Sequence, residues 1–520
     1  MGVENPRERK WMPLLIALLA GILIGMLLTP SRPSTSAEAF PEKMKEVIQL
    51  VEEEYVDDID GDTLSNTLIN AMLLSLDPHS HYLSVDELRK EQESIQGNFD
   101  GIGVVLHYLG DTVYVSEVMA HGPSARSGLR PGDLIWCVNG DTVSGVGLSN
   151  EETVSRIRGP HGTKVTLTVE RRGEKKPLRF TIVRGRVVTP SVVYVGMMPR
   201  HTGYINLSRF GETTGEEIHN ALLQLKQQGM QRLVLDLRNN GGGLLEAAID
   251  VADELLEAGD MIVYTEGAHQ RRHTIRSTRG GLFEQGELVV LIDEYSASAS
   301  EIVAGAVQDN DRGTIYGRRS FGKGLVQRQY DLSDGSALWL TTARYYTPSG
   351  RCIQRPYSHG SDDYYIRFLE RLATVPTTAD SSYLTQPLDD STQYFTKQKR
   401  VVYGGGGICP DKMLPYRVDG DMAAFNRLVN SGQPSRKAFE YLIEHAGDLQ
   451  HDYPTEALFI ERFRFPDLDK RLPEAQQLSA TQHQRLETLM KAYVAQSLFG
   501  QYAFYRIYNT IDDDLIRIEH

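Results

Sequence analysis

Hydrophobic and polar residues follow three different patterns along the chain, and each pattern predicts a different architecture. Between residues 40 and 96, apolar residues recur at helical spacing with acidic residues between them, which predicts amphipathic helices. From Gly97 to about Arg186, short alternating segments separated by glycine-containing turns predict a small domain built mainly of strands. After Thr189 and Pro190, buried-type strands alternate with helical segments, which predicts a parallel sheet with crossover helices.

The N-terminal segment predicts export. Three basic residues precede an apolar run from Trp11 to Leu28, which reaches the short end of the length of about 17–25 residues that spans a bilayer. The basic flank would leave the N-terminus in the cytoplasm. The alternative is a cleaved signal peptide, with a small-x-small site at residues 37–39. Under either interpretation we expect the chain after about Thr29 to lie outside the cytoplasm.

Composition narrows the classes of function. A net charge of −14 argues against a nucleic-acid partner, because such proteins usually carry a basic face. The three cysteines, Cys137, Cys352 and Cys409, have no CxxC spacing, so neither a disulfide framework nor a zinc site is expected. His79 and His81 form an HxH pair, but no third ligand is near in sequence, and we predict a structural role. We expect no metal and no cofactor.

Two polar turns follow buried-type strands. The apolar segment 233–238 leads into the turn Asn239–Gly243, and the segment 287–293 leads into a serine-rich turn and a helix. In parallel sheets, sites gather where strands end and helices begin. Both turns therefore fall at positions where a site is expected.

The serine-rich turn and a later lysine are candidate catalytic groups. Ser296, Ser298 and Ser300 are possible nucleophiles, and Lys323, between two glycines, could act as a base if burial lowers its pKa enough to make it neutral. Gln327 could orient the amine without adding charge. Serines at helix starts are usually N-caps and a single lysine is usually solvated, so spacing alone leaves both interpretations open.

A competing motif surrounds the same lysine. Residues 317–323 match GxxxxGK, but Gly324 stands where a nucleotide-binding loop needs Ser or Thr, and strands rather than a helix are predicted next. We therefore exclude an NTPase.

The strand-rich region resembles a PDZ domain. Residues 128–140, GLRPGDLIWCVNG, are its most recognisable segment, and Gly101, Ile102, Gly103 and Val104 stand where that family has its carboxylate-binding loop. The resemblance implies binding of a peptide C-terminus as an added strand. The alternative interpretation of Gly101-x-Gly103 is a plain turn.

Several motifs together resemble the C-terminal processing peptidases, the tail-specific serine proteases of family S41. The motifs are LDPHSHY (76–82), DLRNNGGG (236–243), SASASEIVAGAVQD (296–309), FGKGLVQ (321–327), TTARYYTPSGR (341–351) and GGGICPD (405–411). Of the three serines, only Ser298 has the family's interval to Lys323. The resemblance implies that Ser298 is the nucleophile, Lys323 the general base and Gln327 its orienting residue. It also implies backbone oxyanion donors at Ala299 and at Gly242 or Gly243.

These observations predict a crotonase/ClpP-like α/β protease core with a parallel or mixed sheet, an inserted α+β PDZ domain, and helical terminal regions. The predicted segments are 1–39 (anchor or signal and linker), 40–96 (helical region), 97–187 (PDZ), 188–356 (core), 357–411 (insertion and return to the core) and 412–520 (helical extension). The extension carries no motif of the family.

The predicted function is an exported serine endopeptidase with a Ser/Lys dyad, whose PDZ domain binds the apolar C-terminal tails of protein or peptide substrates. We expect it in the cell envelope, on the periplasmic side of the inner membrane, either anchored there or released after signal cleavage. The sequence is compatible with either a monomer or a homo-oligomer. The alternative function is a catalytically silent, membrane-tethered PDZ scaffold.

Overall fold

A computed structural model describes residues 36–278, 280–374, 392–417 and 420–519. The predicted anchor at residues 11–28 and part of the predicted insertion lie outside these ranges. Within them, no helix combines the length and the apolar character needed to cross a membrane.

The helices and strands are numbered in chain order over the described residues. The helices are α1 (Ser36–Glu54), α2 (Gly61–Leu74), α3 (Val85–Gln96), α4 (Asn150–Ile157), α5 (Thr214–Gln227), α6 (Leu245–Asp253), α7 (Ala299–Asp309), α8 (Ser361–Ala373), α9 (Gly420–Asn430), α10 (Gln433–Asp452), α11 (Glu456–Arg462), α12 (Leu468–Arg471), α13 (Ala480–Phe499), α14 (Gln501–Tyr508) and α15 (Asp513–Glu519). The strands are β1 (His81–Leu83), β2 (Asn98–Gly101), β3 (Val104–Leu109), β4 (Thr112–Val118), β5 (Leu134–Val138), β6 (Asp141–Thr142), β7 (Lys164–Glu170), β8 (Leu178–Val183), β9 (Gly185–Val188), β10 (Val192–Met198), β11 (Thr202–Leu207), β12 (Arg232–Asp236), β13 (Met261–Gly267), β14 (Gln270–Arg276), β15 (Glu287–Ile292), β16 (Thr314–Gly317), β17 (Leu325–Asp331), β18 (Ala337–Tyr346), β19 (Gln393–Phe395), β20 (Val401–Tyr403) and β21 (Lys412–Met413).

The chain divides into two compact units, with the boundary after Ala71. The first unit contains α1 and most of α2. The remaining elements belong to the second unit, which holds every candidate site residue.

The strand-rich region forms an antiparallel sheet in the order β3-β4-β5-β7-β8, with β6 paired to β5. Alternation decides which side chains enter its core: in β7, Val165, Leu167 and Val169 are fully buried, while the threonines between them are not. The pair β2–β9 closes the region where the chain enters and leaves it.

The core sheet has the order β10-β11-β12-β15-β16-β21, and all its neighbours except β10 and β11 run parallel. Residues 233–235 of β12 are all buried, as expected for a central parallel strand with covered faces. The parallel pairing places the ends of β12 and β15 side by side, so the two predicted turns meet at one edge. The predicted α/β core, PDZ-like domain and helical C-terminal region are confirmed.

A second, antiparallel sheet supplies the lysine. Its order is β1-β18-β13-β14, and β17 pairs with the other side of β18. Lys323 lies two residues before β17, and Gln327 lies within it. The strand β1, from the predicted motif at 76–82, pairs with the start of β18.

The C-terminal extension is a helical layer with its own apolar core, formed by α9 to α14. The amphipathic segment 459–465 is helical only as far as Arg462. The amphipathic segment 489–508 is divided between two helices at Gly500, whose φ of +90° interrupts the helical backbone. Many aromatic residues of this layer, such as Phe459, Phe463 and Phe465, are buried inside the chain.

Candidate active site

Ser298 stands at the junction of β15 and α7 in a rare backbone conformation. Its φ is +54° and its ψ is −112°, a region that residues with a Cβ seldom occupy. Such geometry typically costs about 1–3 kcal/mol and is found mainly at functional sites. The side chain is half-buried at the edge of a cavity of about 860 Å³.

The neighbouring serines are tied into the fold. Both Ser296 and Ser300 are fully buried. Ser296 Oγ donates to the Leu237 carbonyl at 2.7 Å, and Ser300 Oγ donates to the Asn240 carbonyl at 2.8 Å. These hydrogen bonds lock the serine turn onto the Asn239–Gly243 turn.

The glycine turn lies directly against the serine. A Cβ built on Gly242 would lie 2.9 Å from Ser298 Cβ, so only glycine permits this approach. The Gly242 N–H is already used, since it donates to Asn240 Oδ1 at 2.9 Å. Among the described residues, the N–H groups of Gly243 and Ala299 have no partner, and both residues line the cavity.

Lys323 lines the same cavity. Burial lowers the pKa of the Lys323 amine, and nearby Asp77, Glu301 and Glu91 offset this only in part. Its Nζ donates to Gln327 Oε1 at 2.8 Å. In the part of the chain that the structure describes, no hydrogen bond joins Lys323 to Ser298.

Gln327 is itself held by the motif at 76–82. Its Nε2 donates to the carbonyl of His79, and Asp77 fixes that turn by accepting from the N–H groups of His79 and Ser80 at 2.8 and 2.7 Å. The His79 ring packs edge-on against Tyr364, and burial lowers its pKa to about 3. No cluster of three potential metal ligands occurs within the described ranges.

Glu301 is a functional residue that sequence reasoning missed. It is fully buried, and its carboxylate accepts from the backbone N–H groups of Ser298, Gly322 and Lys323 at 2.8, 2.7 and 2.9 Å. One side chain therefore holds the segments of the candidate nucleophile and base together. Its position three residues after Ser298 matches the capping-box spacing, a signal that could have identified it.

Tyr345 makes a second link between the same segments. Its buried hydroxyl lies 2.6 Å from the Lys323 carbonyl oxygen and 3.1 Å from that of Ser298. Burial raises the pKa of Tyr345 well above its ordinary value, so the hydroxyl remains a donor. This residue lies in the predicted motif at 341–351, but no role was assigned to it there.

We expect Glu301→Gln to lower kcat about 100-fold with little change in KM, because an amide cannot accept all these hydrogen bonds and small misplacements of reacting groups cost about that much. The measurement is steady-state peptide hydrolysis, with the exposed Glu216→Gln as the matched control. A wild-type kcat in Glu301→Gln would contradict this role.

Glu301 also predicts a pH dependence of stability. Burial raises the pKa of Glu301 to about 7 from 4.5, so the folded state keeps a proton that the unfolded state releases between these values. The corresponding stability is fully present below pH 4.5 and is lost as the pH rises to about 7. Denaturant unfolding should show that the free energy of unfolding falls over this pH range in the wild type and in Glu216→Gln, and falls less in Glu301→Gln. The same dependence on pH in all three proteins would refute the prediction.

The predicted peptide-binding loop lies at a second groove, of about 630 Å³, whose lining includes residues 101–106 together with Val154 and Ile157 of α4. Gly103 has a φ of +73°, and a Cβ there would lie 2.8 Å from the Gly122 backbone. The loop is therefore held against the segment that follows β4. All four predicted loop residues, 101 to 104, line this groove.

Comparisons with known proteins identify two regions. Residues 201–360 match the model of peptidase family S41, and residues 114–171 match that of a PDZ domain. A carboxy-terminal-processing protease of Bartonella bacilliformis is 40% identical over 314 residues, covering 59% of this chain and 71% of the relative. A probable CtpA-like serine protease of Staphylococcus aureus is 35% identical over 392 residues, 75% of each chain. A solved photosystem II D1 C-terminal processing protease is 30% identical, with 59% and 82% coverage and a TM-score of 0.35.

Proposed function

Because the chain belongs to the C-terminal processing proteases of peptidase family S41, we propose that it is an exported serine endopeptidase that uses Ser298 and Lys323 as a catalytic dyad. One observation carries this proposal: Ser298, Lys323, Gly243 and Ala299 all line one cavity, and the N–H groups of the last two have no partner among the described residues. The strained backbone of Ser298 and the lowered pKa of Lys323 support it.

The proposed reaction begins with the neutral amine of Lys323, which Gln327 holds toward the cavity. The amine takes the proton of Ser298 Oγ as that oxygen attacks the carbonyl carbon of the scissile peptide bond. The charge on the substrate oxygen is stabilised by the N–H groups of Gly243 and Ala299, each worth about 3–4 kcal/mol in the transition state. The lysine then gives its proton to the leaving amine, and water hydrolyses the acyl-enzyme by the same steps.

The proposed substrates are proteins with apolar C-terminal tails. The groove beside Gly101–Val104 has apolar walls that include Leu106, Val154 and Ile157, which suits alternate side chains of an added strand. The loop N–H groups would hold the terminal carboxylate.

The proposed location is the cell envelope, on the periplasmic side of the inner membrane. It rests on the basic residues and the apolar run at residues 7–28. Fractionation, with and without carbonate extraction, would separate a membrane-anchored chain from one released after signal cleavage.

A digestion series tests catalysis and tail selection together. Unstructured substrates that differ only in their last three residues are incubated with the wild type and with Gly103→Val. We expect apolar tails to be cleaved fastest by the wild type, and this preference to be lost in Gly103→Val, because a Cβ there collides with the Gly122 backbone. Equal cleavage of all tails by the wild type would refute the proposed recognition.

The silent scaffold is the second candidate, since no hydrogen bond joins Ser298 to Lys323 among the described residues. Covalent labelling by a fluorophosphonate separates the two. Labelling of the wild type that is absent from Ser298→Ala supports the protease, whereas no labelling of either supports the scaffold.

A further inference from the structure

The glycine turn is held in place by side chains from the distant C-terminal extension. Arg238, one residue before the turn, is held by three carboxylates. Its guanidinium donates hydrogen bonds to Asp236 at 2.6 Å, Asp512 at 3.0 Å and Asp514 at 3.1 Å. The two latter residues flank the start of α15. The turn thus depends on carboxylates more than 270 positions away in sequence.

The ion cluster is largely shielded from water. The exposed fractions of the side chains are 14% for Arg238, 1% for Asp236 and 7% for Asp512. Removing one partner from such a cluster leaves a buried charge incompletely paired, which is strongly unfavourable. Asp512 is further fixed because its Oδ1 accepts the N–H of Leu515 at 3.0 Å.

The segment that carries Asp512 is seated on the core sheet. Leu515 and Ile518 are buried against Val234 of β12 and Leu291 of β15. The Arg232 guanidinium, at the start of β12, donates to the carbonyl of Ile518 at 2.9 Å. The position of the carboxylate is therefore set by the two strands that end at the site.

Hydrogen bonds connect the glycine turn to the segment that carries Ser298. Asn239 donates its N–H to Asp293, and the Asn240 carbonyl accepts the N–H of Ala297 at 3.0 Å as well as the hydroxyl of Ser300. A shift of Arg238 would move the turn relative to Ser298. The N–H of Gly243 would move with it.

The other end of the extension contacts the PDZ domain. Phe439 of α10 packs on the rings of His107 and Tyr114, with centroids 4.3 and 6.1 Å apart. Gln496 and Gln501, at the junction of α13 and α14, line the peptide groove. Only the short helix α14 and a turn separate Gln501 from Asp512. The C-terminal extension therefore contacts both functional regions of the chain.

We propose that Asp512 is a positioning residue for the reaction: through Arg238 it fixes the Asn239–Gly243 turn, so the C-terminal extension is an internal support of the active site. The inference rests on the proposed function, and Asp512 lies beyond the segment, 201–360, that matches the family model.

The test compares the full-length wild type, Asp512→Asn and the control Asp452→Asn, which removes an exposed carboxylate of the same extension. Peptide hydrolysis gives kcat and KM, and thermal unfolding reports the fold. We expect Asp512→Asn to lower kcat about 10- to 100-fold with KM within about twofold of the wild type. We expect Asp452→Asn to match the wild type. A folded Asp512→Asn with a wild-type kcat, or with its loss confined to KM, overturns the inference.

A milder variant covers the case in which Asp512→Asn unfolds. Asp514→Asn removes the negative charge that pairs with Arg238 at 3.1 Å and with Arg318 at 3.3 Å, and it should lower kcat about 3- to 10-fold at an unchanged unfolding temperature. A wild-type kcat overturns the inference. Hydrolysis by the wild type that is absent from Ser298→Ala is measured first. If it is missing, the proposed function fails and the inference fails with it; if it is present, the Asp512 result decides the inference alone.

Discussion

Replacing Ser298 with alanine is expected to lower kcat/KM for an unstructured protein substrate by on the order of 10⁶-fold, because it removes the oxygen that would form the acyl-enzyme beside Lys323. The flanking serines cannot substitute, since Ser296 and Ser300 are buried and their hydroxyls donate to backbone carbonyls. The rate is measured by single-turnover cleavage with excess enzyme, which keeps slow residual activity visible. Activity within about tenfold of the wild type would reject Ser298 as the nucleophile.

The neighbouring serines provide matched controls. Ser296→Ala and Ser300→Ala each remove a buried hydrogen bond, so we expect a loss of about 1–3 kcal/mol in the free energy of unfolding. Their cleavage rates, measured well below the unfolding temperature, should stay within an order of magnitude of the wild type. The opposite pattern, with cleavage lost in Ser300→Ala and kept in Ser298→Ala, would identify Ser300 as the nucleophile in place of Ser298.

The strained backbone of Ser298 adds a test that separates chemistry from stability. Glycine accepts a φ of +54° without a Cβ clash, so Ser298→Gly is expected to be inactive yet about 1 kcal/mol more stable than Ser298→Ala. Denaturant unfolding of the two inactive variants measures the difference. Equal stabilities would mean that the serine is held there without strain.

The sequence alone predicted those strands, helices and turns that short stretches of hydrophobic and polar residues define. Apolar strands followed by polar turns predicted the parallel sheet, and the pairing of β12 with β15 places both turns at one edge. The spacing of Ser298 and Lys323 had meaning only through the family resemblance, because a serine at a helix start is usually an N-cap. The choice between Gly242 and Gly243 was open, and it depends on Asn240, whose side chain occupies the Gly242 N–H.

Most of the contacts that the sequence did not predict join site residues to residues far away in the sequence. Gln327 depends on His79, 248 residues away, and Arg238 depends on Asp512, 274 residues away. Gln327, His79 and Arg238 lie in motifs of the family, but a motif does not show which residues bond to one another. A single backbone carbonyl or a single carboxylate is enough to make each contact. Glu301 was missed for a different reason: its spacing from Ser298 indicates a capping box, but that spacing gives no sign of the further hydrogen bonds from Gly322 and Lys323.

Replacing Lys323 is expected to lower kcat/KM by about 10⁴-fold or more, since the base and the nucleophile act as one unit. Lys323→Arg should be as inactive as Lys323→Ala, because a guanidinium stays protonated and cannot accept the proton of Ser298. The exposed Lys176→Ala serves as the matched control and should retain wild-type rates. An active Lys323→Arg would show that a positive charge, rather than a neutral base, is what the site requires.

The pH profile of the wild type tests the same role by its direction. Burial lowers the pKa of Lys323 below the ordinary value of 10.5, so the fraction of neutral amine grows as the pH rises through the lowered pKa. We therefore expect kcat/KM to rise with pH at values below 10.5, and the residual activity of Lys323→Ala to show no such rise. In Gln327→Ala, kcat/KM should still rise with pH but reach a lower maximum, because the substitution removes the acceptor of the Nζ hydrogen bond and leaves the amine in place. A rising limb that persists in Lys323→Ala would assign the titration to another group and remove the lysine from the mechanism.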